Sequence, residues 1–499
     1  MRRHFGGALL LLAAGAGTAG AQGYRLRLDT RFQSVSFRGI AYDSVLASQV
    51  VTSPGAGPMT PDGYLADCRI PTTGYCYYFR PGAKLQGQPL SSTADLTMWG
   101  FGLRGLTFRA SGRLATDLNN DASWPGAEPE AILTEAYAEY AASAVSARLG
   151  RQLVTGRLGY QGFDGALATV RLPRLGLEVT GYGGSGLARA VALPVTSPAL
   201  NPLNDFQPRD RQVLVGGSAA FRHRYFDLTA EYRREVDPAV DYFVSERAGA
   251  SAVVHPMRRV ELTGGAEYDF ANGWWGSAEA GVRYNGNRVT VSAQGLRYRP
   301  FFDLWTIWGA FSPVPYRSAR GDVAVEPVKG LWVRAGGERY WFDPDEADTP
   351  LSTAEDRGWR ANLSAAATVV PSLTIEGGLR SEFGPGASSR TIDLGATWRP
   401  TDRLTLVGRL GTLDRPLEFR YSDAKVHWVS GMADLQLTER LRLVSDLGYY
   451  QEDRQRPDAA AFNLDQLRLS TRFVMTFGSG ADRLPKGRPR PAAPSGGAQ

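Results

Sequence analysis

Residues 359–383 read WRANLSAAATVVPSLTIEGGLRSEF. From Ala361 every second residue is apolar: Ala361, Leu363, Ala365, Ala367 and Val369, with Arg360, Asn362, Ser364, Ala366 and Thr368 between them. After Pro371-Ser372 the alternation restarts, with Leu373, Ile375, Gly377 and Leu379 set against Thr374, Glu376, Gly378, Arg380 and Glu382. A strand turns successive side chains to opposite faces, so this stretch predicts two long antiparallel strands on a tight turn, apolar on one side and charged on the other.

The same spelling recurs from Gly23 to Phe477, for example in FDLTAEYRRE (226–235), VELTGGAEYDF (260–270) and RTIDLGATWRP (390–400). A soluble sandwich also alternates, and three features separate this chain from one. The strands run to about 10–14 residues, where globular strands average roughly 5–6. Their polar face is charged, and small residues share the apolar face with Leu and Val. Very short connections (near 172–174, 222–224, 256–258, 286–287, 329–330, 371–372, 401–402 and 439–440) alternate with longer ones (185–210, 234–241, 342–357 and 450–461). Short turns at one end and longer loops at the other are the habit of membrane-spanning barrels. Aromatics gather at the strand ends: Phe270, Trp274, Trp275, Tyr340, Trp341, Phe342, Tyr449 and Tyr450 beside longer loops, and Phe221, Tyr225 and Trp398 beside short turns. Such clusters read as girdles at a membrane–water interface.

The first 21 residues supply the address. Arg2 and Arg3 precede an apolar core around Leu9 to Ala14 and the small-residue run Ala19-Gly20-Ala21, the pattern of a secretory signal peptide cut before Gln22. No later segment approaches the ~18 apolar residues a membrane helix needs. In lipid, backbone groups are satisfied only in helices and closed barrels, so the expected fold is all-β: a transmembrane antiparallel up-and-down barrel of about 22 strands, within a range of about 18–24. The expected organisation is signal peptide 1–21, barrel 22–478, and a basic Pro/Gly-rich disordered tail 479–499, with both termini periplasmic.

The end of the last strand, Ser470 to Phe477 (STRFVMTF), resembles the C-terminal insertion signal of bacterial outer-membrane barrels, although Arg472 stands where that pattern prefers glycine and a tail follows Phe477. In overall pattern the chain resembles outer-membrane porin-like barrels. The resemblance implies a Gram-negative outer membrane, lipid and lipopolysaccharide around the barrel, the barrel-assembly machinery during biogenesis, and passage of small polar or anionic solutes.

The longest gap in this strand register is 43–91, which holds six prolines between Pro54 and Pro89 besides Cys68 and Cys76. In an oxidising compartment the two cysteines are expected to form one disulfide, since no His or further Cys stands nearby to complete a metal site. The segment either folds inward and narrows the pore, caps it from outside, or is a surface loop with no transport role. By alternation the lumen is lined by Arg25, Arg27, Arg31, Glu231, Arg233, Glu261, Glu267, Glu279, Arg283, Arg334, Glu338, Arg360, Glu376, Arg380, Arg399, Arg403, Arg409, Glu418 and Arg420. The interleaved signs predict cross-strand pairing, and the basic cluster on the first strand and at 399–420 hints at a weak anion preference.

The remaining function classes find little support. The net charge of +6 is spread along strands with no aromatic-interleaved basic patch, against nucleic-acid binding. The acidic loop 343–357 lacks the spacing of an EF-hand. His427, with Asp423, Ser430 and Asp434 nearby, is the only arrangement that could seed a hydrolytic triad, and a polar strand offers that coincidence freely. No enzyme, cofactor or metal is expected. The expected function is a pore for small polar solutes; the alternatives are a non-conducting structural or adhesive barrel, or a polysaccharide-export barrel, which would need a helical-repeat partner not encoded here.

Overall fold

The computed structural model describes residues 23–53, 57–68, 74–119, 130–187, 208–236, 243–299, 315–343, 356–384, 387–418, 422–455 and 463–479. The expected signal peptide 1–21, the expected tail 479–499 beyond its first residue, and most of the expected loops 185–210, 342–357 and 450–461 lie outside these residues.

The described residues are almost wholly strand. The first portion comprises β1 (Gly23–Leu46), β2 (Val51–Ser53), β3 (Gly57–Met59), β4 (Ala66–Asp67), β5 (Tyr75–Gly87), β6 (Pro89–Trp99), β7 (Leu106–Asp117) and β8 (Glu130–Ala141). Next come β9 (Val145–Gly156), β10 (Gly159–Leu172), β11 (Leu177–Leu187), β12 (Pro208–His223), β13 (Phe226–Val236), β14 (Phe243–Met257), β15 (Val260–Asp269), β16 (Trp274–Asn285) and β17 (Val289–Tyr298). The series ends with β18 (Tyr316–Val328), β19 (Leu331–Phe342), β20 (Arg357–Val370), β21 (Leu373–Gly384), β22 (Ala387–Thr401), β23 (Leu404–Glu418), β24 (Ser422–Thr438), β25 (Leu441–Gln455) and β26 (Leu464–Ser479).

From β6 to β26 each strand pairs antiparallel with the next, and β1 pairs with both β6 and β26. The ring therefore closes with 22 strands, the count read from the sequence. The opening stretch is β20 and β21: Leu363 faces Leu379 and Asn362 faces Arg380 across the Pro371-Ser372 turn. Apolar partners continue around the wall, Leu379 to Ile392, Leu394 to Leu410, Leu410 to Val429 and Leu447 to Leu469. Leu363, Leu394, Leu410, Val429 and Leu447 are each half exposed or more. A soluble protein does not leave so continuous an apolar belt in water; this face belongs against lipid.

One region differs from the sequence reading: the gap at 43–91 carries the end of β1, the strands β2 to β5 and the start of β6. β1 runs to Leu46, and β5 with β6 forms a nearly continuous partner to it, from Leu46↔Tyr75 down to Gly23↔Trp99. Six prolines hid this, although one of them, Pro81, sits within β5 beside a bulge where the register slips. Pairing of β1 with β26 stops at Val35, so residues 36–46 and their partners rise beyond the ring by roughly 35 Å. The Cys68–Cys76 disulfide and the short β4, paired to β5 through Ala66↔Tyr78, close the top of this upright sheet.

Candidate functional site

Only one connection at the loop end is tight among the first described hairpins: Gly156-Arg157-Leu158-Gly159, between β9 and β10. Its legs leave the wall. Pairing of β9 with β8 ends at Arg151, and pairing of β10 with β11 ends at Phe163. Beyond those points, 152–156 and 159–162 pair only with each other. Glycine marks the departure. Gly150 has φ +128°, and a Cβ there would stand 2.2 Å from the Ala136 carbonyl oxygen. An Arg151–Asp164 ion pair, bonded twice at 2.8 Å, staples the base of the hairpin.

The tip reaches strands that are three to six places further round the ring. Arg157 donates to the Ala266 carbonyl (3.2 Å), to Ser277 Oγ (3.1 Å) and to Glu279 Oε1 (2.9 Å), and lies 3.8 Å from Glu267. The Leu158 N–H donates to Glu231 Oε2 (3.2 Å), while Arg233 and Arg247 both donate to the Leu158 carbonyl oxygen (2.8 and 3.2 Å). Arg247 also holds Glu267 at 2.6 Å. A link from β9–β10 to β13 through β16 is a chord, so the polar face carrying these residues is the inner one and the tip lies inside the ring, over the segment between β10 and β16.

The chord is filled underneath. Phe163, Leu214 and Leu187 are fully buried, and Leu167 and Tyr182 pack with them. Burying such side chains stabilises by about 1.5–3 kcal/mol each. The wall opposite is recessed to admit the tip. A Cβ on Gly265 would stand 2.2 Å from Arg157 Nη1, and one on Gly249 would stand 3.0 Å from Leu158 Cδ2. Three arginines (157, 233, 247) meet three glutamates (231, 267, 279) in this niche. Opposite charges alternate there, as burial of ionised groups requires.

The charged residues expected along the inner face occupy alternating positions that register onto one another. Glu261 faces Arg283; Arg334 meets Asp322 (3.4 Å), Arg360 bridges Glu338 (3.4 Å) and Glu382 (2.9 Å), and Arg409 lies 3.7 Å from Glu376. Arg25, Arg27 and Arg31 lie on β1, where Arg27 is 3.5 Å from Asp29 and Arg31 faces Arg472. Arg380 faces Asn362, Arg399 lies two residues before the end of β22, and Arg403 sits in the following turn. Glu418 closes β23, and Arg420 lies outside the described residues. The niche gathers Glu231, Arg233, Glu267 and Glu279. Sequence reading missed Arg157, Leu158, Arg247 and Ser277 there; the glycine spacing 150, 156, 159, 162, 165 could have marked the tip residues Arg157 and Leu158, but not the strands that receive them.

Other expected positions change face. Tyr340 and Tyr450 are inner-face residues, Tyr340 buried with the Arg360 guanidinium 4.7 Å from its ring centre and Tyr450 under Arg468 at 4.5 Å. They cannot serve in a lipid girdle, a role left to Phe270, Trp275, Trp398 and Tyr449, all exposed. His427 alternates to the face opposite Ser430 and Asp434, and Asp434 is taken by Arg442. The triad reading has no geometry behind it.

A closed ring of 22 antiparallel strands, apolar outside and charged inside, defines a transmembrane β-barrel of the outer-membrane type. The chain is similar to the crystal structure of the outer membrane protein OpdK from Pseudomonas aeruginosa (12% identity, TM-score 0.40, covering 91% of this chain and 99% of that one). It is also similar to a BenF-like porin from Pseudomonas fluorescens Pf-5 (12%, TM-score 0.39, 91% and 99%) and to the ferric enterobactin receptor PfeA of P. aeruginosa (11%, TM-score 0.49, 92% and 81%). No family model and no curated protein matches the chain.

Proposed function

We propose that the chain forms a pore for small polar solutes in a Gram-negative outer membrane, with the inner-face charges as its wall and the β9–β10 tip as its constriction. The observation that carries this is the Arg157–Leu158 chord: about 22 strands enclose a wide lumen, and the chord narrows it from one side. Segment 43–91 was the sequence candidate for a constriction, but the ring contacts and the ion pair of its upper part are internal, Tyr42 with Tyr77 and Phe79, and Arg80 with Asp43. An upright sheet above the mouth fits that better than an in-folded loop. Arginines cluster on β1, β25 and β26 (Arg25, Arg27, Arg31, Arg442, Arg468, Arg472), with Asp29 and Asp434 offsetting part of their charge, and the excess supports a weak preference for anions.

Planar-bilayer recording tests this. Replacing 152–162 by a two-residue turn should raise single-channel conductance roughly twofold or more, while removing 47–74 should leave it unchanged. The opposite pattern would return the constriction to 43–91. Silence from the purified, folded protein would sink the pore and favour a non-conducting structural or adhesive barrel.

A further inference from the structure

The inner face of β17 to β21 carries a patch of aromatic rings and paired charges at its loop end. The uppermost row is aromatic: Tyr298 faces Tyr316 and Tyr316 faces Phe342, with ring centres 5.3 and 5.9 Å apart. The next row holds Leu296, Ser318, Tyr340 and Gly358. Tyr340 lies over Gly358 and Gly384, where an added Cβ would overlap its ring, and Arg360 covers it, so it floors the patch. Below runs a ribbon of Gln294, Arg320, Glu338, Arg360 and Glu382, in which Arg360 bridges both glutamates. The row after that, Ser292, Asp322, Gly336, Asn362 and Arg380, adds one carboxylate and one guanidinium. Tyr298 is 37% exposed, and Tyr316 and Phe342 are half-buried. Trp341, Trp359 and Phe383 alternate with these rows and hold the outer face at the same height, so the inner rings have no part in a lipid girdle.

The patch sits where a passing solute meets it. The β9–β10 tip lies over β10 to β16, so the passage it leaves runs along the wall from β17 onward. Glu279 of the niche faces Leu296, and Gln294 donates to Glu279 Oε2 (3.0 Å), so niche and patch share one height. Across the four rows three arginines stand with three carboxylates, and Arg334, one row beneath, shares Asp322 with Arg320. An ionic solute therefore finds a like charge beside each partner. What the patch offers is flat apolar rings and, around its ion pairs, spare N–H donors and carboxylate lone pairs. Sugar rings match both, since their C–H faces stack on aromatic faces and their hydroxyls donate and accept. An aromatic solute without hydroxyls would cover the ribbon and leave those donors and acceptors unsatisfied. Resting on the pore reading above, we propose that this patch is the selective site of the channel and that it takes neutral saccharides. The sugar rings lie on Tyr298, Tyr316 and Phe342, and their hydroxyls meet the Arg320–Glu338–Arg360–Glu382 ribbon.

The test uses the full chain purified in detergent, with maltotriose as the probe and calorimetric titration as the readout, which does not depend on conductance. Trigalacturonate, an acidic trisaccharide, and benzyl alcohol, a ring without the hydroxyl array, serve as comparisons. The wild type should bind maltotriose more tightly than either. Tyr298→Ala with Phe342→Ala should weaken maltotriose about tenfold, the value of two lost ring contacts, whereas Tyr298→Phe with Phe342→Tyr should stay near wild type. Glu338→Gln with Glu382→Gln leaves Arg360 without its carboxylates and should move the preference toward trigalacturonate. Should the alanine pair lose the migration of a folded barrel on unheated gels, Tyr298→Leu with Phe342→Leu keeps apolar bulk, removes the flat rings and carries the same expectation. Wild-type affinity in the ring variant, or trigalacturonate or benzyl alcohol bound by the wild type as tightly as maltotriose, overturns the proposal. A chain that conducts but ignores maltotriose overturns this inference alone, whereas one that binds it with these dependences yet forms no channel overturns only the pore.

Discussion

Gly265 shows how much of this site is decided by one missing side chain. Valine there would place its Cβ 2.2 Å from Arg157 Nη1 and 3.1 Å from the Ala250 carbonyl, so the guanidinium must leave. Removing one partner from a buried ionic niche costs about 3–5 kcal/mol, and here that loss frees the tip. The expected outcome for Gly265→Val is rapid tryptic cleavage after Arg157, which is protected in the wild type, with the ring otherwise intact. A second residue-scale expectation concerns Asp43. The Ser44 N–H and then the Arg80 guanidinium hold its carboxyl below the ordinary carboxylate range. Its folded value is depressed, so its contribution is present above the unfolded value and is lost as pH falls through the lowered one. An NMR titration of the Asp43 carboxyl should find it still ionised at the pH where a free aspartate is half protonated.

At the scale of elements, period-two spelling made the wall legible because every wall strand has lipid on one side. β20 and β21 fell where their alternation put them, with the turn at Pro371-Ser372. The two elements that leave the wall were not legible in that way. The β9–β10 tip is held by Gly249 and Gly265 on strands about a hundred residues downstream, and no local pattern announces such a niche. The upright sheet was obscured by its prolines and by a register slip inside β5. The two cysteines, by contrast, were read correctly from compartment and isolation. Cys68→Ser with Cys76→Ser removes a cross-link over eight residues, worth roughly 2–3 kcal/mol by loop entropy. Proteolysis should then cut within 47–74 at rates well above wild type, while barrel migration on unheated gels stays the same.

For the whole molecule, the exposed apolar belt makes a prediction that a water-soluble protein would contradict. Leu410 is 52% exposed, and in water its replacement by arginine would be nearly neutral. In a bilayer, arginine near the midplane costs about 2–4 kcal/mol. Urea-driven unfolding from lipid vesicles should show that loss for Leu410→Arg, and a neutral result would place this face outside lipid. The 24-residue β1 also binds two tasks together. Its lower half supplies both seams of the ring, while its upper half is one leg of the disulfide-closed sheet. β1 and β5–β6 are near neighbours along the chain, whereas the β1–β26 seam joins the two ends of the barrel and closes a far longer loop. One strand thus bears both the clasp that shuts the cylinder and the antenna that rises from it.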